Sequence, residues 1–181
     1  GGRIDPPFGS GPVAWAVYLL RYSQYVGLAA QPSVEDFAGD NGSYKASTLA
    51  RYRDQIRAKG FWEHELHQQM RHDGIILAYD PTIEVRQTVA FPFLVFVGQR
   101  FSHGWCYGHE LTAGAPWPQR LFLAGRATLV PALLMFRVAR QVVASGRYGH
   151  QFLLALPSLV VFSLAWGLGE GGGCLVGKNP R

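Results

Sequence analysis

From Gln151 to Gly169 the chain carries no charged side chain, and Leu, Val, Phe, Ala and Trp dominate. A tilted membrane-spanning helix needs roughly 17 to 25 such residues, so this segment has the length for one. Pro157 near its start is tolerable in lipid, where neighbouring groups satisfy the freed backbone. The competing reading is the core helix of a soluble domain. Upstream, Gln119 to Val143 is expected to form an amphipathic helix, or two with a break at Pro131. Arg120, Arg126, Arg137 and Arg140 interrupt its apolar run, which suits a helix lying in the membrane interface with its arginines snorkelling to water. These two stretches divide the chain into a part up to residue 117 and a membrane-associated part, 118–181, with its span at about 151–169.

Charge follows the same division. Of the 181 residues 16% are charged, and the formal net charge is +5. Beyond Glu110, Glu170 is the only acid. The arginines there are scattered through apolar sequence rather than clustered with aromatics, which argues for anionic lipid head groups and against nucleic acid. The excess of Arg137, Arg140 and Arg147 places their side of the helices in the cytoplasm. A single span would then carry Lys178 and Arg181 across, so a re-entrant hairpin is the alternative. Cys106 and Cys174 have no CxxC spacing, and they form neither a zinc motif nor a disulfide framework. The chain opens Gly1-Gly2-Arg3, without an initiator Met or a signal peptide. That opening reads as a crop or a gene fragment.

The first part mixes helices and strands. A loop rich in Gly and Pro leads into a helix from Val13 to about Tyr25, with Trp15, Tyr18, Leu19, Tyr22 and Val26 on one face. Gln31-Pro32 breaks the chain. Gly39 to Tyr44 reads as a tight loop. Ser47 is placed to cap a helix over Thr48 to Lys59, stopped by Gly60. A second helix runs from Trp62 to about His72 and ends near Gly74. Ile75–Tyr79 and Thr82–Arg86 are strand candidates.

Chemistry concentrates in Gly60-Phe61-Trp62-Glu63-His64-Glu65-Leu66-His67. Two residues apart on a helix, Glu63 and Glu65 diverge by about 200° and cannot both face one ligand. A carboxylate in a cleft beside Trp62 can act as general base on a hydroxyl. In the plainer reading, acids at a helix start only complement its dipole. His64, His67 and His72 suggest a metal, but the order of residues is not that of an HExxH zinc site. Asn41 either shapes a binding loop or is a turn residue with positive φ.

Taken in order, these segments resemble the bacterial family 2 glycosyltransferases. Asp40-Asn41-Gly42-Ser43-Tyr44-Lys45 is similar to their Asp-Asn-x-Ser-Tyr signature. Glu63 to His67, with Met70-Arg71 and Gly74, resembles their acidic helix, Glu63 standing at the catalytic Asp and Trp62 at the Glu before it. Tyr79-Asp80-Pro81 is similar to the strand pair that follows. Gln99-Arg100-Phe101-Ser102-His103-Gly104 resembles the Gln-Arg-x-x-x-Gly element behind the acceptor site. Trp166-Gly167-Leu168-Gly169-Glu170 resembles the membrane-associated tail. The family's metal-binding Asp-x-Asp occurs nowhere in the sequence, and Ser102-His103 stands where processive relatives have Arg-Trp, which favours single transfer over polymer extension.

The resemblance implies an α/β fold, with a partial GT-A-like domain over residues 1–117 that is the acceptor-side, C-terminal half, followed by hydrophobic membrane-associated helices. It implies an inverting transferase acting on a nucleotide-diphosphate sugar and a hydroxyl acceptor at the membrane surface, a lipid-linked acceptor suiting that position. Glu63 would be the base, and Asn41, Trp62, Glu65, Gln99, Arg100 and His103 would bind acceptor or diphosphate. A divalent Mg²⁺ or Mn²⁺ is implied as cofactor, although this chain lacks the motif that would hold it. The catalytic part would lie on the cytoplasmic side. Without the nucleotide-binding half the fragment would be inactive, since Gly167-Leu168-Gly169-Glu170-Gly171-Gly172 follows an apolar helix rather than a strand and makes no phosphate cradle. The alternatives are a non-enzymatic membrane-anchored scaffold or partner subunit and, third, a soluble metal-dependent hydrolase.

Overall fold

The computed structural model describes residues 1–30, 32–59, 63–88 and 91–176. It is mostly helical, at 67%, with one small parallel sheet of two strands. The chain forms two compact units. One contains Gly1–Pro6 and Tyr25–Gln87, the other Pro7–Gln24 and Thr88–Arg181. The division thus differs from a cut at residue 117: the first long helix and the one after residue 92 belong with the hydrophobic helices.

In the first unit, β1 (Gly2–Asp5) pairs in parallel with β2 (Asp80–Arg86). The opening residues, expected as loop, therefore begin with a strand. Their Gly-Pro content hides it, because only Ile4 is a strong strand former. Of the two strand candidates after Gly74, Thr82–Arg86 is present as part of β2 and Ile75–Tyr79 is corrected. Ile75–Ala78 is irregular backbone, Tyr79 makes a single bridge, and one continuous strand begins at Asp80. Asp80 accepts hydrogen bonds from the backbone and hydroxyl of Thr82 at 2.9 and 2.7 Å, so the Asp-Pro pair lies within the strand instead of ending it.

Between the strands run α2 (Ala46–Arg51), α3 (Arg53–Lys59) and α4 (Glu63–His72). The expected single helix over Thr48–Lys59 is broken at Tyr52, whose buried ring packs in the core while its hydroxyl donates to Asp73 Oδ2 at 2.7 Å. Ser47 lies inside α2, not at its cap. Lys45 occupies that position, and its side chain makes no capping hydrogen bond. Helix α4 follows the sequence reading closely. Its Glu63 and Glu65 lie in the first turn, its Arg71 and His72 in the last, matching the helix dipole. Gly74, at φ +78°, takes the left-handed conformation just past the end. Leu66 and Met70, one turn apart, bury one face against Phe37, Tyr52, Leu77 and Tyr79.

Among the described residues the second unit contains helices and no strand: α1 (Pro12–Tyr22), α5 (Phe93–Leu111), α6 (Trp117–Ala127), α7 (Val130–Ser145) and α8 (Gly149–Val176). The other four all pack on α8. Among the described residues α8 is the one helix long and apolar enough to cross a membrane, and 44% of its most apolar stretch is buried within the unit. Its 28 residues extend about 42 Å, more than the hydrocarbon thickness of a bilayer. Two helices are present rather than one, but the break falls at Thr128 and Leu129, with Pro131 in the first turn of α7, and the two are bent by 44°.

Helices α5 and α8 approach each other through glycines. Gly104 and Gly108 lie against the carbonyl oxygens of Trp166 and Glu170, and Gly169 and Gly173 against those of Phe101 and Trp105. A Cβ at any of the four would run into backbone. Two Gly-x-x-x-Gly pairs, one per helix, thus face each other, the spacing that lets helices approach closely in lipid.

Candidate functional site

The first turn of α4 and the turn Gly39–Asn41 meet in the first unit. Glu63 is half-buried with its side chain laid over Gly39, where a Cβ would stand 2.6 Å from its Oε1. Glu65 is exposed. The two acids therefore part as their spacing requires, one held in the fold and one toward solvent. Trp62, expected beside Glu63, lies outside the described residues.

Behind Glu63 is a chain of hydrogen bonds that no sequence motif marks. The Tyr44 hydroxyl lies 2.7 Å from His67 Nε2, and His67 Nδ1 meets Asp36 Oδ1. Asp36 also accepts from the Tyr25 hydroxyl at 3.1 Å and pairs with His64 Nδ1 at 3.0 Å. His67 is 0% exposed and stacks on Phe37, with ring centroids 4.4 Å apart. Burial pushes the Asp36 carboxyl up, but hydrogen bonds from His67, His64 and Tyr25 outweigh it and hold the group down at about 2. Burial, with Glu63 and Asp36 nearby, pushes the Tyr44 hydroxyl up to about 12. Tyr44 therefore keeps its proton and donates it to Nε2, which leaves the Nδ1 proton for the Asp36 carboxylate.

Tyr44 also lines a cavity of about 470 Å³, together with Phe37, Lys45, Thr48, Met70 and Ile75 among others. It is the member of the network that faces both the buried His67 and open space. The loop carrying Ser43, Tyr44 and Lys45 thus borders a space large enough for a sugar-sized ligand.

Asn41 has another task. Its amide donates to the carbonyl oxygens of Arg3 at 2.8 Å and Ile83 at 3.0 Å, tying β1 to β2. It lies in a 3-10 turn without positive φ, so the reading of it as a positive-φ turn residue is corrected. Gln99, Arg100 and His103 lie on α5, in the helical unit, whereas Asn41, Glu63 and Glu65 lie in the first. Gln99 and His103 are exposed and Arg100 is partly buried.

No group of three His, Cys, Asp or Glu among the described residues is arranged to hold a metal ion. His64 and His67 both turn to Asp36, as hydrogen-bond partners of one carboxylate. The donor set does not fit the divalent metal of the resembled family.

Comparison of the chain with family models, curated proteins and solved structures finds no match.

Proposed function

We propose that this chain is the acceptor-side, membrane-binding part of an inverting glycosyltransferase of the family 2 type, with Glu63 as general base. The observation that carries the reading is the meeting of two motif segments distant in sequence. The Asp40–Lys45 loop and the first turn of α4 come together so that the Glu63 carboxylate rests on Gly39, near enough to Tyr44 to act on its hydroxyl. A parallel strand pair joined through helices is also what part of a GT-A-like α/β domain would contain.

In this reading the acceptor hydroxyl lies beside Glu63. The carboxylate takes the hydroxyl proton while the oxygen forms its bond to the anomeric carbon. The bond from that carbon to the diphosphate oxygen breaks, and its electron pair leaves with the nucleoside diphosphate. Attack opposite the leaving group inverts the centre. Tyr44, held by His67 and Asp36, keeps the loop in register and offers a hydroxyl to the sugar. Asn41 serves the fold, Glu65 faces water, and Gln99, Arg100 and His103 are given no step. Nucleotide-sugar binding would be supplied by residues other than those described. In this reading the catalytic part works on the cytoplasmic side, the side that an excess of basic residues favours.

The test uses the intact protein in detergent with a panel of sugar nucleotides, following release of nucleoside diphosphate. Glu63→Gln should lower turnover about 10²- to 10⁴-fold, the usual contribution of a positioned base. Full release in that variant would remove Glu63 from the mechanism. A protein that turns over no donor favours the membrane-anchored scaffold.

A further inference from the structure

The helical unit holds a second cavity, of about 480 Å³, lined by residues of all five helices. Three arginines face it, Arg100 from α5, Arg126 from α6 and Arg137 from α7, against a single carboxylate, Glu170. Glu170 is 3% exposed and already engaged: Trp166 Nε1 donates to it at 3.0 Å, and Arg126 stands 4.0 Å away. Neither Arg100 nor Arg137 has a carboxylate partner among the described residues. The Arg100 guanidinium lies over the Trp166 ring, 4.2 Å from its centroid, and its Nε is buried with no hydrogen-bond acceptor. A buried donor left unsatisfied costs the fold free energy, and the Arg100 guanidinium has no carboxylate beside it to offset that cost. The missing component is an anion.

Guanidinium groups match the paired oxygens of phosphate better than a point charge does. What surrounds the cavity says what carries that phosphate. Around it α6, α7 and the turn between them expose Phe122, Leu129, Leu133 and Phe136, each at least 60% exposed. These side chains suit hydrocarbon, not water. We propose that this cavity binds the phosphate group of an anionic lipid, with Arg100 and Arg137 as its principal donors, Arg126 divided between it and Glu170, and the acyl chains along α6 and α7. The proposal concerns the helical unit alone and does not depend on the role of Glu63.

The experiment titrates the full chain, in an uncharged detergent, with three probes: short-chain phosphatidic acid, short-chain phosphatidylcholine and inorganic pyrophosphate. Phosphatidic acid should bind saturably and at least about tenfold more tightly than the other two. Arg137→Gln, an exposed position whose replacement leaves the helices packed, should weaken phosphatidic acid about tenfold, the loss expected for one charged hydrogen bond. Arg100→Gln should do at least as much, with helicity by circular dichroism checking that it folds. Arg147→Gln, equally basic but outside the cavity, should change affinity less than about twofold. Pyrophosphate binding as tightly as phosphatidic acid would make the ligand a free phosphate and overturn the lipid assignment. Equal affinity for both lipids, or equal losses in Arg137→Gln and Arg147→Gln, would overturn the site.

Discussion

At the scale of single residues, the arrangement around Asp36 makes a prediction about acid. Its carboxyl is held down at about 2, below the ordinary 3.8. A depressed folded pKa contributes stability that is present above the unfolded value and lost as pH falls through the folded one. The first unit should therefore loosen progressively between about pH 4 and pH 2. Hydrogen exchange of α4 amides in this window measures it: protection should fall with pH in the wild type and change much less in Asp36→Asn, which starts lower. Equal pH dependence in both would detach Asp36 from the stability of the unit. This network also marks the limit of sequence reading. The spacing of Glu63 and Glu65 shows that they must part, and they do. The i, i+3 spacing of His64 and His67 is equally visible, yet it says nothing of Asp36, 28 residues before His64, which turns a candidate metal pair into partners of one carboxylate. The turn around Asn41 is visible too, while its amide is committed to two strands that only the fold brings together.

Elements with their own periodic signal are legible: α1, α4 and α8 lie within a few residues of where apolar spacing puts them, and α6 and α7 divide two residues ahead of Pro131. Those that depend on distant partners are not. Strand β1 has four residues and exists through pairing with β2, from the far end of the same unit. The break at Tyr52 accompanies a hydrogen bond to Asp73. The glycines of α5 and α8 are visible in sequence, but only the packing shows that the two pairs face each other. A bulky residue there must push the helices apart, whereas Gly98, on the same α5, would carry a side-chain carbon with nothing within 4 Å of it. Gly108→Leu should lower the thermal unfolding midpoint in detergent by an amount corresponding to at least about 1–3 kcal/mol. Gly98→Ala should be neutral or stabilising by up to about 1 kcal/mol, since alanine favours a helix. Comparable effects of the two would mean that close helix approach is not what the glycines provide.

On the scale of the whole molecule, the sequence divides sharply in charge, but the fold regroups its parts. The first long helix joins the hydrophobic bundle, and the polar unit closes on a strand from the very beginning of the chain. The long central helix and the apolar exterior of α6 and α7 argue for a protein that stays with lipid. Expressed in cells, the intact protein should remain in the membrane fraction after alkaline carbonate washing and leave it only in detergent. Release by carbonate alone would assign α8 to the core of a soluble bundle, the competing reading of its composition.

The central claim is that Glu63 removes a proton and Glu65, two residues on, does not. It is tested most directly by placing Glu63→Gln and Glu65→Gln side by side in the nucleoside-diphosphate release assay, with folding of each confirmed. The account predicts a loss of about 10²-fold or more in Glu63→Gln and less than about threefold in Glu65→Gln. Equal losses, or a loss confined to Glu65→Gln, would contradict it.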